Sequence, residues 1–188
     1  MEAAGALSRK LTSADLCQMP DDGLRHELIE GVHYVSPSAS VKHQRIVVRL
    51  VASIHRYLED HPLGEVFVSP LDVVLSDYDV LEPDVLYLTA EQVATYIRRH
   101  VHGAPALAVE VISPSSRKMD VDVKRRVYEP FGVEEYWVVE PEAESVAVYR
   151  RGEDGGFLAP AAVTRHQGDA LTTPLLPEFT LSLDELFR

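Results

Sequence analysis

Apolar residues recur at helical spacing over residues 41–60, where Ile46, Val47, Leu50, Val51, Ile54, Tyr57 and Leu58 fall on one arc at about 100° per residue. Pro37-Ser38-Ala39-Ser40 breaks the chain just ahead and offers an N-cap, so the pattern predicts a helix over about 41–60. Before it, His26-Glu27-Leu28-Ile29 and Val32-His33-Tyr34-Val35 read as short strands turning at Glu30-Gly31, a hairpin. After Gly64 the period shortens. Strands are predicted over 65–69, 71–75, 84–88 and 106–112, with a short helical segment over 90–99. A second helix fits about 119–130, closed near Pro130 and Gly132, and strands at 134–139 and 145–150 follow. The Gly152–Gly156 turn and a tail ending in a short helix at Asp184-Glu185-Leu186-Phe187 complete the pattern. This order predicts one α/β or α+β domain over 21–188, a mixed sheet flanked by helices, with residues 1–20 a loosely attached lead-in.

Composition supports a single core: 188 residues, 46% of them hydrophobic. Cys17 has no intramolecular partner, so the chain carries no mark of an oxidising compartment. No apolar run approaches the roughly 18–20 residues of a membrane span, and the N-terminus does not read as a secretory signal. The expected location is cytoplasmic. The net charge of −12 repels phosphate at long range. Any nucleic-acid contact must therefore run through local basic patches or bound cations.

The strand Ala106-Leu107-Ala108-Val109-Glu110-Val111-Ile112 places an acid inside an apolar run. A buried carboxylate without a partner loses its hydration, so Glu110 calls for a salt bridge, a metal or exposure at an edge. Asp84 stands between Pro83 and the apolar Val85-Leu86-Tyr87-Leu88, either capping a turn or adding a second carboxylate to a site for a hard divalent cation. Asp120, Lys124 and Tyr128, spaced by four, share one helical face. That face is either solvated or turned back toward Glu110 across the short loop Ser113-Pro114-Ser115-Ser116, where an ammonium would orient water and offset charge. On the first helix Lys42, Arg45, Arg49 and Arg56 lie within roughly 60° of one another beside the apolar stripe, either as an ordinary outer face or as contacts to phosphate. His43 falls within the apolar arc, as a buried histidine or as a secondary member of the site.

Together these residues resemble the PD-(D/E)XK nuclease superfamily. More narrowly, they are similar to a bacterial restriction-endonuclease family formerly called a domain of unknown function. The likeness runs through His26–Gly31, His43, Pro83-Asp84, Glu110–Ser116, Asp120, Lys124, Tyr128, Gly132–Val139, Leu176-Pro177 and Leu183–Phe187. It implies a restriction-endonuclease-like core in which Asp84 and Glu110 bind Mg²⁺ or Mn²⁺. The superfamily pattern has lysine two residues after the second acid, whereas this chain has Ile112; the resemblance implies that Lys124 replaces it. Glu27 and Glu30 fall in a matching motif with no assigned role beyond an extra acid near the metal.

The expected activity is metal-dependent hydrolysis of DNA, with RNA an alternative substrate. Asp84, Glu110 and Lys124 form the catalytic set. Lys42, Arg45 and Arg49, joined by Arg125 and Arg126, contact phosphates, and a homodimer would cut both strands. The rival is a non-catalytic descendant that binds nucleic acid or protein, which the absent strand lysine and the negative charge favour.

Overall fold

A computed structural model describes residues 9–20, 22–36, 38–113 and 116–188. The first eight residues of the lead-in, Asp21 at the expected start of the domain, Pro37, and Pro114-Ser115 of the loop after Glu110 lie outside the described residues.

In chain order the elements are α1 (Ser13–Leu16), β1 (Arg25–Ile29), β2 (Val32–Ser36), α2 (Val41–Asp60), β3 (Gly64–Val68), β4 (Val73–Val74), β5 (Val80–Leu81) and β6 (Val85–Thr89). Then come α3 (Ala90–Tyr96), β7 (Val101–His102), β8 (Leu107–Val111), a π-helical turn (Met119–Lys124), α4 (Arg125–Phe131), β9 (Glu135–Glu140), β10 (Ser145–Arg150) and β11 (Ala161–Thr164). A 3₁₀ turn (Arg165–Gln167), β12 (Ala170–Thr173), β13 (Leu176–Ser182) and α5 (Leu183–Phe187) close the chain.

The main sheet has the order β11-β10-β9-β8-β6-β3. Only β8 and β9 run parallel within it, joined by the crossover through α4. Strand periodicity splits β8 between two cores. Leu107, Val109 and Val111 pack with Ile46, Val47, Leu50, Ile54 and Leu58 of α2, while Ala108 and Ile112 pack with Val127 and Tyr128 of α4. Glu110 shares the parity of Ala108 and Ile112, so the sheet turns it toward α4.

A second sheet, β2-β1-β5-β4-β7, holds the predicted hairpin. Its turn uses Glu30 and Gly31 at φ 52° and 78°, the two positive values of a type I′ connection. A Cβ on Gly31 would lie 2.7 Å from Lys10 Cβ, and the Leu11 N–H donates to the Gly31 carbonyl at 2.9 Å, so the lead-in passes over this turn.

The pattern-based elements differ from the fold in several places, and the helix expected over 90–99 ends at Tyr96. Residues 71–75 shrink to the two-residue β4, which pairs with β5 instead of running as a longer strand. The tail forms the β12–β13 hairpin, whose Pro177 suits a strand with one free edge. The helix expected over 119–130 begins as a π turn, a widened form frequent at functional sites that apolar spacing does not encode.

Candidate active site

The antiparallel register of β6 and β8 pairs Val85 with Val109 and Leu86 with Ala108. Continued by one residue, it sets Asp84, at the bend before β6, across from Glu110. Opposed residues in such a pair share a face, with Cβ atoms about 4.5–5.5 Å apart in a regular ladder. Both side chains line one cavity of about 300 Å³. The two acids thus meet at one site and do not diverge to opposite faces of the sheet.

The helix after the loop turns its shared face back toward Glu110, the second of the two readings that the spacing left open. Asp120, Lys124 and Tyr128 are all buried, at 4%, 3% and 0% exposure. Lys124 Nζ lies 3.0 Å from Glu110 Oε1, 2.9 Å from Glu27 Oε1 and 3.6 Å from Asp120 Oδ1. The Tyr128 hydroxyl donates to the same Glu110 oxygen at 3.2 Å. Glu27 arrives from β1, where period two puts it on the same face as Arg25. Glu30, by contrast, sits exposed in the hairpin turn, its N–H bound to Asp79.

Asp84 is held by a different set. Arg25 donates to its Oδ1 at 2.7 Å, while His43 Nε2 and the Val111 N–H reach Oδ2 at 3.0 and 2.8 Å. Arg25 also contacts the Glu82 carbonyl, and its Nε lies 3.7 Å from Glu82 Oε2. Arg25 and Glu82 are the members of the site that the sequence reading did not single out. Arg25, two residues before Glu27 on β1, and Glu82, two residues before Asp84 in the link from β5 to β6, each stand at alternate spacing from an acid of the site, and that spacing is the signal that was there to find them.

These surroundings drive the two acids apart. For Asp84, burial works upward but is outweighed by His43, Arg25 and the Val111 N–H, so its pKa lies below the usual carboxylate value. For Glu110, burial dominates and lifts the carboxyl well above the usual range. Lys124 pulls back only in part, and Asp120, Asp84 and Glu27 push further. Burial opposes the charge on Lys124, yet Glu110, Glu27 and Asp120 more than restore it, and the amine is held above its ordinary value. The three carboxylates thus favour the ammonium form of Lys124.

Glu82, raised to about 7 chiefly by burial, gives a pH test. The folded chain holds a proton on Glu82 that the unfolded chain releases near the ordinary glutamate value of about 4.5. Stability contributed by this group is present below that value and is lost as pH rises toward 7. Thermal melts of wild type and Glu82→Gln from pH 5 to 7.5 check it: the variant should lose a few degrees less over that range. Parallel curves would show that Glu82 does not titrate there.

The basic helix divides its cations. Lys42 pairs with Glu142 at 3.0 Å beside the cavity, and Arg45 is exposed. Arg49 donates to the Leu186 carbonyl at 3.0 Å, tying α2 to α5. Replacing Lys42 and Arg45 by glutamine should weaken nucleic-acid binding and lower its salt slope by about two. Arg49→Gln should instead cost about 1 kcal/mol of stability and leave the slope unchanged. Titrations at several salt concentrations, with denaturant melts, separate the two outcomes.

Five buried carboxyl groups (Glu27, Glu82, Asp84, Glu110 and Asp120) gather around two permanent cations, Arg25 and Lys124, and burial favours the protonated form of Glu110 and Glu82. A hard divalent cation could take the place of the Glu110 proton. Among the described residues no three His, Cys, Asp or Glu side chains converge as a ligand set. The chain thus offers Asp84 and Glu110, and waters or substrate oxygens would complete a shell of the kind Mg²⁺ accepts. Among the described residues no helix is long and apolar enough to cross a membrane.

Residues 13–184 match the family Uma2, described as "Putative restriction endonuclease". Among solved structures the chain is similar to "a putative nuclease belonging to DUF820 from Anabaena variabilis", with a TM-score of 0.79 and 20% identity over 94% of this chain and 97% of that one. At that identity the likeness shows the fold, a restriction-endonuclease-like mixed sheet flanked by helices. No curated protein matches the chain. The family match takes in Glu27, Asp84, Glu110 and Lys124 together, and the chain belongs to the Uma2 family of restriction-endonuclease type.

Proposed function

We propose that the protein is a divalent-metal-dependent nuclease acting on DNA, with Asp84 and Glu110 holding Mg²⁺ or Mn²⁺ and Lys124 as the charge partner. The observation that carries this reading is the pairing of Asp84 and Glu110 on one cavity wall with an ammonium 3.0 Å from Glu110. When bound, the ion would lower the pKa of a water and polarise the phosphate. Asp84, held ionised by Arg25 and His43, anchors the site. Lys124 stays protonated, so it orients water and offsets charge developing on the phosphoryl oxygens without taking up a proton. Glu27 and Asp120 fix the ammonium against Glu110.

A double-strand cut would take two such sites and goes with a symmetric dimer, whereas a single-strand cut needs one. Cleavage of labelled DNA by wild type and Asp84→Asn, each with Mg²⁺, Mn²⁺ and chelator, tests the proposal. Activity that survives either chelation or the substitution sinks it. The cations already seated on both acids favour a second reading, in which the protein binds nucleic acid without cutting.

A further inference from the structure

The acids sit deep, Asp84 and Glu110 being only 4% and 2% exposed. Three walls enclose them: the start of α2 with Ser40, Lys42 and His43; the π turn with Asp120 and Lys124; and the end of β9 with Glu140 to Glu142. The described residues leave about 300 Å³, at the low end of the roughly 300–1,000 Å³ of small-molecule pockets. That is room for one nucleotide unit. The described lining contains no Tyr, Phe or Trp, so it offers no platform on which a base would stack. It does carry hydroxyls at Ser36, Ser38, Ser40, Ser113 and Ser116, together with cations, groups that contact sugar and phosphate and do not read base edges.

At the mouth, the Lys42–Glu142 ion pair joins the α2 wall to the turn after β9, with side chains 49% and 80% exposed. Arg117 pairs with Glu140 beside it. Two carboxylates therefore occupy the cations that an incoming phosphate would meet.

A duplex reaches such a depth less readily, because pairing holds its phosphodiesters on a stiff cylinder that must deform to descend between two walls. An unpaired strand bends at every phosphodiester and can thread in with its bases outward. Enzymes that do chemistry on a base in a pocket meet a similar constraint by acting on single strands or by extruding the nucleotide.

We infer that, if the hydrolytic reading above holds, the site takes the backbone of an unpaired DNA strand in preference to an intact duplex, without regard to base identity. Phosphate enters by displacing Glu142 from Lys42.

The experiment compares a labelled single strand, its blunt duplex, and the same duplex carrying a single-stranded flap. Cleavage is followed with Mn²⁺, and binding to the non-cleaving Asp84→Asn variant is followed by fluorescence anisotropy. The strand and the flap should be cut about 100-fold faster than the duplex, the scale of unpairing a nucleotide. Glu142→Ala should bind the strand about two- to fivefold more tightly, as expected when an exposed competing pair is removed. Equal cleavage or tighter binding of the blunt duplex overturns the strand preference and leaves hydrolysis standing. Preferential binding of the strand with no cleavage in either metal overturns hydrolysis and leaves the strand preference. Unchanged affinity in Glu142→Ala overturns the role given to the mouth pair.

Discussion

Lys124→Ala should lower the unfolding free energy by about 3–5 kcal/mol, the scale of breaking a buried ion pair by removing one partner. The reason is local. Glu110, Glu27 and Asp120 all lie within 3.6 Å of this ammonium, and none of the three is more than 4% exposed. Without it three carboxylates crowd one another in a poorly hydrated space, and proton uptake relieves only part of the cost. Under the proposed mechanism, cleavage by the fraction that remains folded should fall roughly 10²–10³-fold, as for loss of one electrostatic stabiliser.

The two effects separate in a double variant. Lys124→Ala with Glu27→Gln should recover part of the stability, since one repelling charge is gone, and none of the activity. Lys118→Ala, at an exposed position just before the π turn, serves as the control. Denaturant melts and single-turnover cleavage give the numbers. A Lys124→Ala protein as stable as wild type would contradict the buried cage, and one that cuts as fast would remove the lysine from the mechanism.

Mn²⁺ at about one hundred times its dissociation constant should stabilise wild type by about 2.7 kcal/mol and Glu110→Ala by far less. The expected gain depends on pH, with a definite sign. Burial raises the proton affinity of Glu110, so protons compete with metal for this carboxylate. The Mn²⁺-induced shift in melting temperature should accordingly grow as pH rises. Asp84, already ionised through Arg25 and His43, should add little to that dependence. Calorimetry with and without Mn²⁺ at several pH values reads this without any substrate. Equal shifts in wild type and Glu110→Ala would place the ion elsewhere.

The chain declares by itself which face each residue presents. Helical spacing alone places α2 at Val41–Asp60, the same 41–60 that the apolar arc predicts. Period two in β8 separates Glu110 from Val109 and Val111, and spacing by four keeps Asp120, Lys124 and Tyr128 on one side, even though the turn that carries Asp120 and Lys124 is π-helical. These features are legible because they follow from the geometry of a few consecutive residues. The hairpin turn is legible for the same reason, since Glu30-Gly31 supplies the two positive φ angles that a tight connection needs.

Which faces meet is a different matter, decided by the order of the strands. Arg25 reaches Asp84 across 59 residues and His43 reaches it across 41, contacts that exist only because β6, β8 and the β1 hairpin assemble around one cavity. The same assembly brings Glu27 to Lys124 and buries Glu82 beside Arg25, giving the acids their opposite proton affinities. It also assigns Arg49 to α5 and leaves Lys42 at the mouth, although both stand on one helical face in the sequence. Residue type and spacing set the side chains that were available to this site. Their charge states and partners came from burial and long-range pairing, which no local window of sequence contains.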